Sequence, residues 1–200
     1  MSTLTVLRRQ LRARRSALDP LERERRDALL SATLLELPVF HRAVHVAGYL
    51  AFGGEYDPAP VLGAAAGQGK TLYLPVLLGR DQPMLFAPHT PGESLRPNWF
   101  GIPEPPVPRE RMVEPAALDL VIAPLVGFDD AGFRLGMAGG FYDRSFAFRQ
   151  TRTGAPWLVG AGYALQRIEP QTPRPWDVRL DAVVTEQGLL DFGLPPTDDS

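Results

Sequence analysis

The run Gly132-Phe133-Arg134-Leu135-Gly136-Met137-Ala138-Gly139-Gly140-Phe141-Tyr142-Asp143-Arg144 carries the densest chemistry in the chain. It follows an apolar stretch at 118–125 that reads as a buried strand, and it leads into a segment at 141–148 that can begin a helix. Glycines let a backbone approach a phosphate closely, and amides at a helix start point at it. Arg134 and Arg144 add positive charge, and Asp143 can hold a cation that travels with phosphates. No Lys-Ser/Thr pair follows the glycines and the spacing is not G-x-G-x-x-G, so neither familiar phosphate motif applies. A tight turn needing several positive-φ residues has the same composition. The residues alone therefore leave an anion nest and a bare turn both open.

Other candidates divide by their surroundings. Glu55 follows two glycines at an expected strand end, where it is either a solvated loop carboxylate or an acceptor for the N–H groups of a heterocycle. Asp57, before Pro58, is better explained as a helix cap. Asp143 and Asp177 are candidates for magnesium, which in nucleotide sites takes one or two carboxylates with phosphate oxygens and waters. Five arginines, Arg8, Arg9, Arg12, Arg14 and Arg15, crowd the first segment and read as a solvated face, from which one or two could reach a phosphate. His41 and His45 are four apart, but Pro38 breaks the helix before them, so they do not form a helical metal pair. Three histidines and no cysteine make a Ser-His or Cys-His nucleophile a poor reading. Trp99, Phe100 and Tyr142 could stack on a flat ligand, although aromatics more often fill cores.

The elements that must position these groups can be read from periodicity. Leu4, Leu7, Leu11 and Leu18 fall at helical spacing, giving an amphipathic helix over about 3–17. Asp19-Pro20-Leu21-Glu22 starts a second helix, with an Asp cap, Pro in the first turn and Glu at the third position; Pro38 stops it after Leu37. Strands are expected at 44–52, 71–76, 84–87, 118–125, 157–163 and 182–185, with a helix at 58–67 and a structured loop at 88–115. Strands separated by helical stretches argue for a mainly parallel sheet covered on both faces, in which ligands bind beyond the carboxyl ends of the strands. Gly53-Gly54-Glu55, the 132–144 run and Gly160-Ala161-Gly162-Tyr163 all fall at such ends, which favours the anion nest over the bare turn.

Composition bounds the remaining classes. A 200-residue chain with 44% hydrophobic residues suits a single domain with a sizeable core. The formal net charge of −2 gives the whole molecule no bias toward nucleic acid. The basic N-terminus lacks the apolar core of a secretory signal, and no apolar run is long enough to span a membrane. The absence of cysteine rules out a disulfide frame and fits a reducing, cytoplasmic setting.

In order along nearly the whole chain, the pattern resembles the 5-formyltetrahydrofolate cyclo-ligase (5,10-methenyltetrahydrofolate synthetase) family. The resemblance rests on Arg8-Arg9-Gln10-Leu11-Arg12; residues 49–57; Gly101-Ile102-Pro103-Glu104-Pro105; and Leu118-Asp119-Leu120-Val121 with Pro124, Phe128-Asp129 and Gly132. It continues through Arg134-Leu135-Gly136, Gly140-Phe141-Tyr142-Asp143-Arg144, Asp177, Asp181 and Val184-Thr185-Glu186. The resemblance implies a three-layer α/β/α fold with a mainly parallel sheet, like that of ribose-phosphate isomerases and CoA transferases. It implies an ATP site from Arg8, Arg12, Arg134, Leu135, Gly136, Met137, Ala138, Gly139, Gly140, Phe141 and Tyr142, with the N-terminal helix packed on it. It implies a 5-formyltetrahydrofolate site from Leu50, Glu55, Met137, Ala138, Gly139, Gly140 and Phe141, magnesium at Asp143 and Asp177, and catalytic roles for Arg134 and Tyr142. The implied reaction consumes ATP to close 5-formyltetrahydrofolate to 5,10-methenyltetrahydrofolate in a cytoplasmic monomer. A non-catalytic nucleotide- or folate-binding protein and a sugar-phosphate isomerase are the alternatives on such a fold. The chain departs from the family pattern at Arg8, where Lys is usual, at Ala138, where Gly is usual, and at Trp176, where His is usual. If position 138 needs positive φ, alanine there costs about 1 kcal/mol.

Overall fold

The computed structural model describes residues 3–98, 101–151, 154 and 156–193; Trp99 and Phe100 lie outside the described residues. The chain begins with three helices, α1 (Thr3–Ser16), α2 (Pro20–Glu36) and α3 (Pro38–Arg42). The junction before α2 is the one its sequence dictates. Asp19 accepts from the amides of Leu21 (2.9 Å) and Glu22 (3.3 Å), and Pro20 fills the first turn, where no N–H is needed. Then follow β1 (His45–Ala47), α4 (Ala59–Gly67), β2 (Thr71–Val76) and β3 (Leu85–Pro88). The short pieces β4 (Arg96–Pro97), β5 (Pro103–Glu104), β6 (Leu120–Pro124), β7 (Gly127–Phe128) and β8 (Arg134–Leu135) come next. The chain closes with α5 (Phe141–Ser145), β9 (Trp157–Ala161), β10 (Ala182–Thr185) and β11 (Gly188–Asp191).

Seven strands form one sheet in the order β11-β10-β9-β6-β1-β2-β3. The inner pairs β10–β9, β9–β6, β6–β1 and β1–β2 are parallel; the edge strands β3 and β11 are antiparallel to their neighbours. Parallel strands buried on both faces need continuous apolar runs, and β6 supplies Leu120-Val121-Ile122-Ala123. Its alternate residues feed two cores. Leu120 and Ile122 join Val46, Leu72 and Val159 beneath Leu30 and Leu34 of α2, Phe40 of α3 and Val61 of α4. Val121 and Ala123 join Ala47, Tyr73, Phe86 and Leu158 of the sheet beneath Phe146. The expected α/β layering is therefore present, with the second covering layer built from α5, a 3-10 turn at Ala147–Gln150 and loops.

Three expectations are corrected. The strand expected over 44–52 is β1, three residues long, because after Gly48, whose amide still donates to the Tyr73 carbonyl (3.1 Å), the chain leaves the register with β2 and β6. The helix expected over 141–148 ends at Ser145, where Phe146 leaves helical geometry (φ −109°, ψ 13°). The loop at 88–115 holds the small β4–β5 ribbon, in which Glu104 Oε1 accepts from the amide of Leu77 (2.8 Å) and from Asn98 Nδ2 (2.7 Å).

Candidate active site

At the carboxyl edge of β6, the chain turns through β7 and returns as β8 before the glycine run. Leu11 of α1 is buried with Val126 and Leu135 at this hairpin, and Leu4, Leu7 and Ile168 pack against them. The leucine stripe read from the sequence thus holds α1 over the glycine segment. Arg8, on the same helix, donates from Nε to the Gly136 carbonyl at 2.8 Å, joining positions 128 residues apart.

Between these parts lies a cavity of about 500 Å³. Of the residues expected to bind ATP or metal, Arg8, Arg134, Leu135, Gly136, Ala138, Gly139, Gly140, Asp143 and Asp177 line it. Arg144, Arg174 and Trp176 also line it, giving the cavity four guanidinium groups. Among the described residues, the amides of 136–140 donate to no protein group, so they are available to an anion. Since α5 has only five residues, its dipole adds little; the attraction comes from these local amides and the arginines.

The loop is shaped by specific steric needs. Gly140 sits in the left-handed region (φ 64°), and a Cβ there would meet Arg144 Nη1 at 2.7 Å. Arg144 in turn donates from Nη2 to the carbonyls of Gly139 and Arg80, both at 2.7 Å. Ala138 is the only non-glycine among the described residues with positive φ, at 77°.

Arg134 is held before any ligand arrives. Its side chain is 4% exposed, Nη1 donates to Val178 O (3.2 Å), and Nη2 pairs with Asp143 Oδ1 (3.0 Å). The guanidinium carbon lies 5.2 Å from the centre of the Tyr142 ring, which stacks on Phe146. The Tyr142 hydroxyl is buried and has no hydrogen-bond partner among the described residues. Burial pushes its pKa far up, with Arg134 pulling it down and Glu55 pushing it up. The phenol therefore responds both to the cation of the glycine segment and to the Glu55 carboxylate.

Asp143 Oδ1 also accepts from the amide of Val178 (3.1 Å), and Asp177 Oδ2 accepts from the amide of Arg174 (2.8 Å). The other oxygen of each carboxylate makes no hydrogen bond to the described residues, and both residues line the cavity. Two carboxylates with one open oxygen each, beside an anion cavity, fit magnesium bound with phosphate oxygens and waters. No cluster of three or more His, Asp or Glu side chains that could cage a metal by themselves occurs among the described residues.

Glu55 does not reach this cavity. Its side chain is 12% exposed, Oε2 accepts from the amide of Phe52 (3.2 Å), and Oε1 lies 3.7 Å from Arg15 Nη1. Burial raises its pKa; the charges of Arg15 and Arg12 and the Phe52 amide oppose that rise. Arg12 is exposed and is not among the residues that line the cavity; its charge acts on Glu55 and Arg15. Leu50 (38%), Phe52 (73%) and Met137 (53%) are exposed apolar side chains. Phe141 is partly buried, with the Arg144 guanidinium over its ring at 5.1 Å.

Two residues escaped the sequence reading. Phe52, counted as the end of a buried strand, is an exposed aromatic beside Glu55. Arg15, counted among solvated arginines, is buried at 2% exposure. Its signal was its position: four residues after Leu11, it continues the apolar stripe of α1, where a charge requires a partner.

A mostly parallel α/β sheet with a cation-lined cavity beyond its carboxyl edge places the chain among the α/β proteins whose sites lie at that edge of the sheet. Residues 1–186 match the profile of the 5-formyltetrahydrofolate cyclo-ligase family. A 5-formyltetrahydrofolate cyclo-ligase of Escherichia coli (strain K12) is 36% identical over 183 residues, covering 91% of this chain and 100% of the relative. One from Haemophilus influenzae is 33% identical over 175 residues, covering 87% and 92%. The NMR structure of Aquifex aeolicus 5,10-methenyltetrahydrofolate synthetase superposes with a TM-score of 0.79 at 29% identity, over 99% of both chains. The chain belongs to the 5-formyltetrahydrofolate cyclo-ligase family. By that membership it is an enzyme, a folate ligase, as the resemblance implied. Among the described residues no helix is long and apolar enough to cross a membrane.

Proposed function

We propose that the chain uses ATP and magnesium to convert 5-formyltetrahydrofolate to 5,10-methenyltetrahydrofolate, releasing ADP and phosphate, with ATP in the 500 Å³ cavity and the folate ring beside Glu55. The observation that carries this reading is the orphaned Tyr142 hydroxyl, which feels Arg134 on the cavity side and Glu55 on the other. A group transferred between two substrates needs such a meeting point.

A formamide is a poor electrophile, and its oxygen is a poor leaving group. Attack of the formyl oxygen on the γ-phosphorus, with the bond to ADP breaking, turns that oxygen into phosphate. The nitrogen at position 10 then attacks the activated carbon and gives up its proton, and the carbon–oxygen bond breaks as phosphate departs. Such chemistry needs positioning and charge neutralisation more than a protein nucleophile. The free amides of 136–140 and Arg8 cradle the phosphates, and Arg134, already fixed by Val178 and Asp143, faces the charge that develops on transfer. Tyr142, kept neutral by its burial, donates a hydrogen bond to a transferring oxygen. Arg12 lies on the folate side of the same helix and neutralises charge there. Glu55 accepts from the N–H groups of the pterin, while Leu50, Phe52 and Met137 offer apolar surface to its ring. Asp143 and Asp177 would hold the magnesium, whose charge offsets that of the phosphates.

We further propose a single-domain enzyme that acts as a monomer in the cytoplasm, a reading supported by one chain supplying both the cavity and the Glu55 corner. The test is direct. Methenyl product absorbance should appear only with ATP, magnesium and 5-formyltetrahydrofolate together, with one ADP per product. Folate binding without turnover would replace the reading with that of a binding protein.

A further inference from the structure

Arg15 is the least expected group in the fold. Its guanidinium is buried at the end of α1, and burial pulls its pKa down. Nη2 donates to Gly53 O at 2.9 Å and more weakly to Phe52 O at 3.5 Å, while Nη1 donates to Leu125 O at 3.4 Å and pairs with Glu55 at 3.7 Å. Nε is buried with no partner. A buried guanidinium with one short hydrogen bond and one empty donor is poorly satisfied, and as a stability device an apolar side chain on the same stripe would serve better. What Arg15 does achieve is a three-way connection. It joins the helix that carries Arg8 and Arg12, the carboxyl end of β6, and the 52–55 turn that carries Glu55.

We propose that Arg15 is a positioning residue that holds the Glu55 carboxylate, ionised and aimed, against the folate, and registers that corner to the helix lining the ATP cavity. The inference rests on the folate-side reading of Glu55. The groups around Glu55 support it. Arg12 from α1 is the second cation acting on it, and it is exposed. Tyr49 and Tyr142 are neutral phenols whose pKa values are pushed well up by burial. Arg23 of α2 lies against Gly54, but its Nη2 donates to the carbonyl of Arg15 at 3.0 Å and so braces the clamp. Arg15 is therefore the buried cation that keeps the carboxylate charged, and its planar fork also bonds the turn; lysine can supply the charge without the fork.

The experiment is a double-mutant cycle read as 5-formyltetrahydrofolate binding without ATP, with melting temperatures measured in parallel. Arg15→Met should weaken folate binding at least tenfold at pH 7, while KM for ATP changes less than threefold. It should also raise the midpoint of the folate-binding pH profile by about one unit or more, as expected when a nearby opposite charge is lost. Arg15→Lys should leave that midpoint nearly in place with a smaller loss of affinity, and it keeps the test open if Arg15→Met does not fold. Adding Arg15→Met to Glu55→Gln should weaken binding no more than about twofold further, because the clamp acts through the missing carboxylate. A lowered melting temperature with an unmoved pH profile, or losses that add in the double variant, would reduce Arg15 to a structural residue and overturn the proposal. Normal folate binding in Glu55→Gln alone would overturn the folate-side reading instead, and the clamp with it.

Discussion

The two sides of the site are built on opposite principles. The cavity side is open, and three of its four cations are tied to backbone carbonyls. Arg8 donates to Gly136 O, Arg144 to Gly139 O and Arg80 O, and Arg134 to Val178 O; among the three, only Arg134 has a carboxylate partner. At the Glu55 corner one largely buried carboxylate faces one buried guanidinium. Cations bonded to neutral carbonyls keep their charge for a polyanion that comes and goes. A buried, paired carboxylate suits a neutral heterocycle whose N–H groups must be matched in direction. On the proposed reading, the difference teaches that charge capture and shape recognition are separated onto two sequence regions, with Tyr142 responding to charges from both.

The largest effect should come from removing Asp143, the carboxylate that pairs with Arg134 and is proposed to hold magnesium. Asp143→Asn should lower turnover by about 10²-fold or more, the scale for losing a group that stabilises developing charge. The fold should persist, since the amide oxygen can still accept from Val178 N. Steady-state rates at saturating ATP across a magnesium titration give the answer; near-normal turnover at ordinary magnesium would remove Asp143 from the metal site.

Glu55→Gln should act on the other side alone. Charge-assisted hydrogen bonds contribute about 1.5–3 kcal/mol, so folate binding should weaken by roughly 10- to 150-fold with little change in KM for ATP. A raised KM for ATP alone would mean the two regions have been assigned the wrong way round. The same residue sets a pH signature. Burial raises its pKa in the folded state, so its contribution to stability is complete at acid pH and declines as pH rises through the folded value. Folate affinity runs oppositely, because the ionised form is the acceptor. Melting temperature and folate affinity, each taken as the difference between wild type and Glu55→Gln, should move in opposite directions across the range above the ordinary glutamate pKa.

The two arginines of α1 sharpen the comparison further. Arg8 lines the cavity and Arg12 does not. Arg8→Ala should raise KM for ATP about tenfold, near 1.4 kcal/mol, whereas Arg12→Ala should lower turnover by a similar factor with a smaller change in KM for ATP. Neither should move the melting temperature much, since Arg8 is only partly buried and Arg12 is exposed. Wild-type kinetics in the double alanine variant would make this face of α1 a solvated surface.

How much of this was legible in the sequence follows from the physics of each part. The sheet was, because parallel strands need unbroken apolar runs such as Leu120-Val121-Ile122-Ala123, and the Asp19-Pro20 helix start was, because capping is local. The leucine stripe of α1 gave its docking on the glycine segment. Short edges were not legible. β11 pairs through backbone groups with alternating exposed residues, and the β7–β8 hairpin is two residues a side. The split between Arg8 and Arg12 was also hidden. Spacing puts them on one helical face, but which partner lies over each turn is set by loops 40 and more residues away in sequence. Arg15 was readable as a charge on an apolar stripe, although its partner Glu55 was not.

The smallest effect concerns Ala138, an alanine in a backbone conformation that favours glycine. Its φ of 77° lies in the left-handed region, where a Cβ crowds the following carbonyl at a cost of about 1–2 kcal/mol. Glycine removes that strain but gives the unfolded chain more freedom, which returns about 0.4–1 kcal/mol. The balance favours Ala138→Gly by roughly 0.5 kcal/mol, a rise in melting temperature of about 1–2 °C for a chain of this size. The cavity side should feel it as well, because residue 138 belongs to the segment whose free amides face the anion, and a looser segment holds ATP less well, by less than about twofold. The folate corner, fixed by Arg15, should not respond. A lower melting temperature in Ala138→Gly would mean that the left-handed turn is unstrained, and an equal loss of folate affinity would mean that the two sides are not separate.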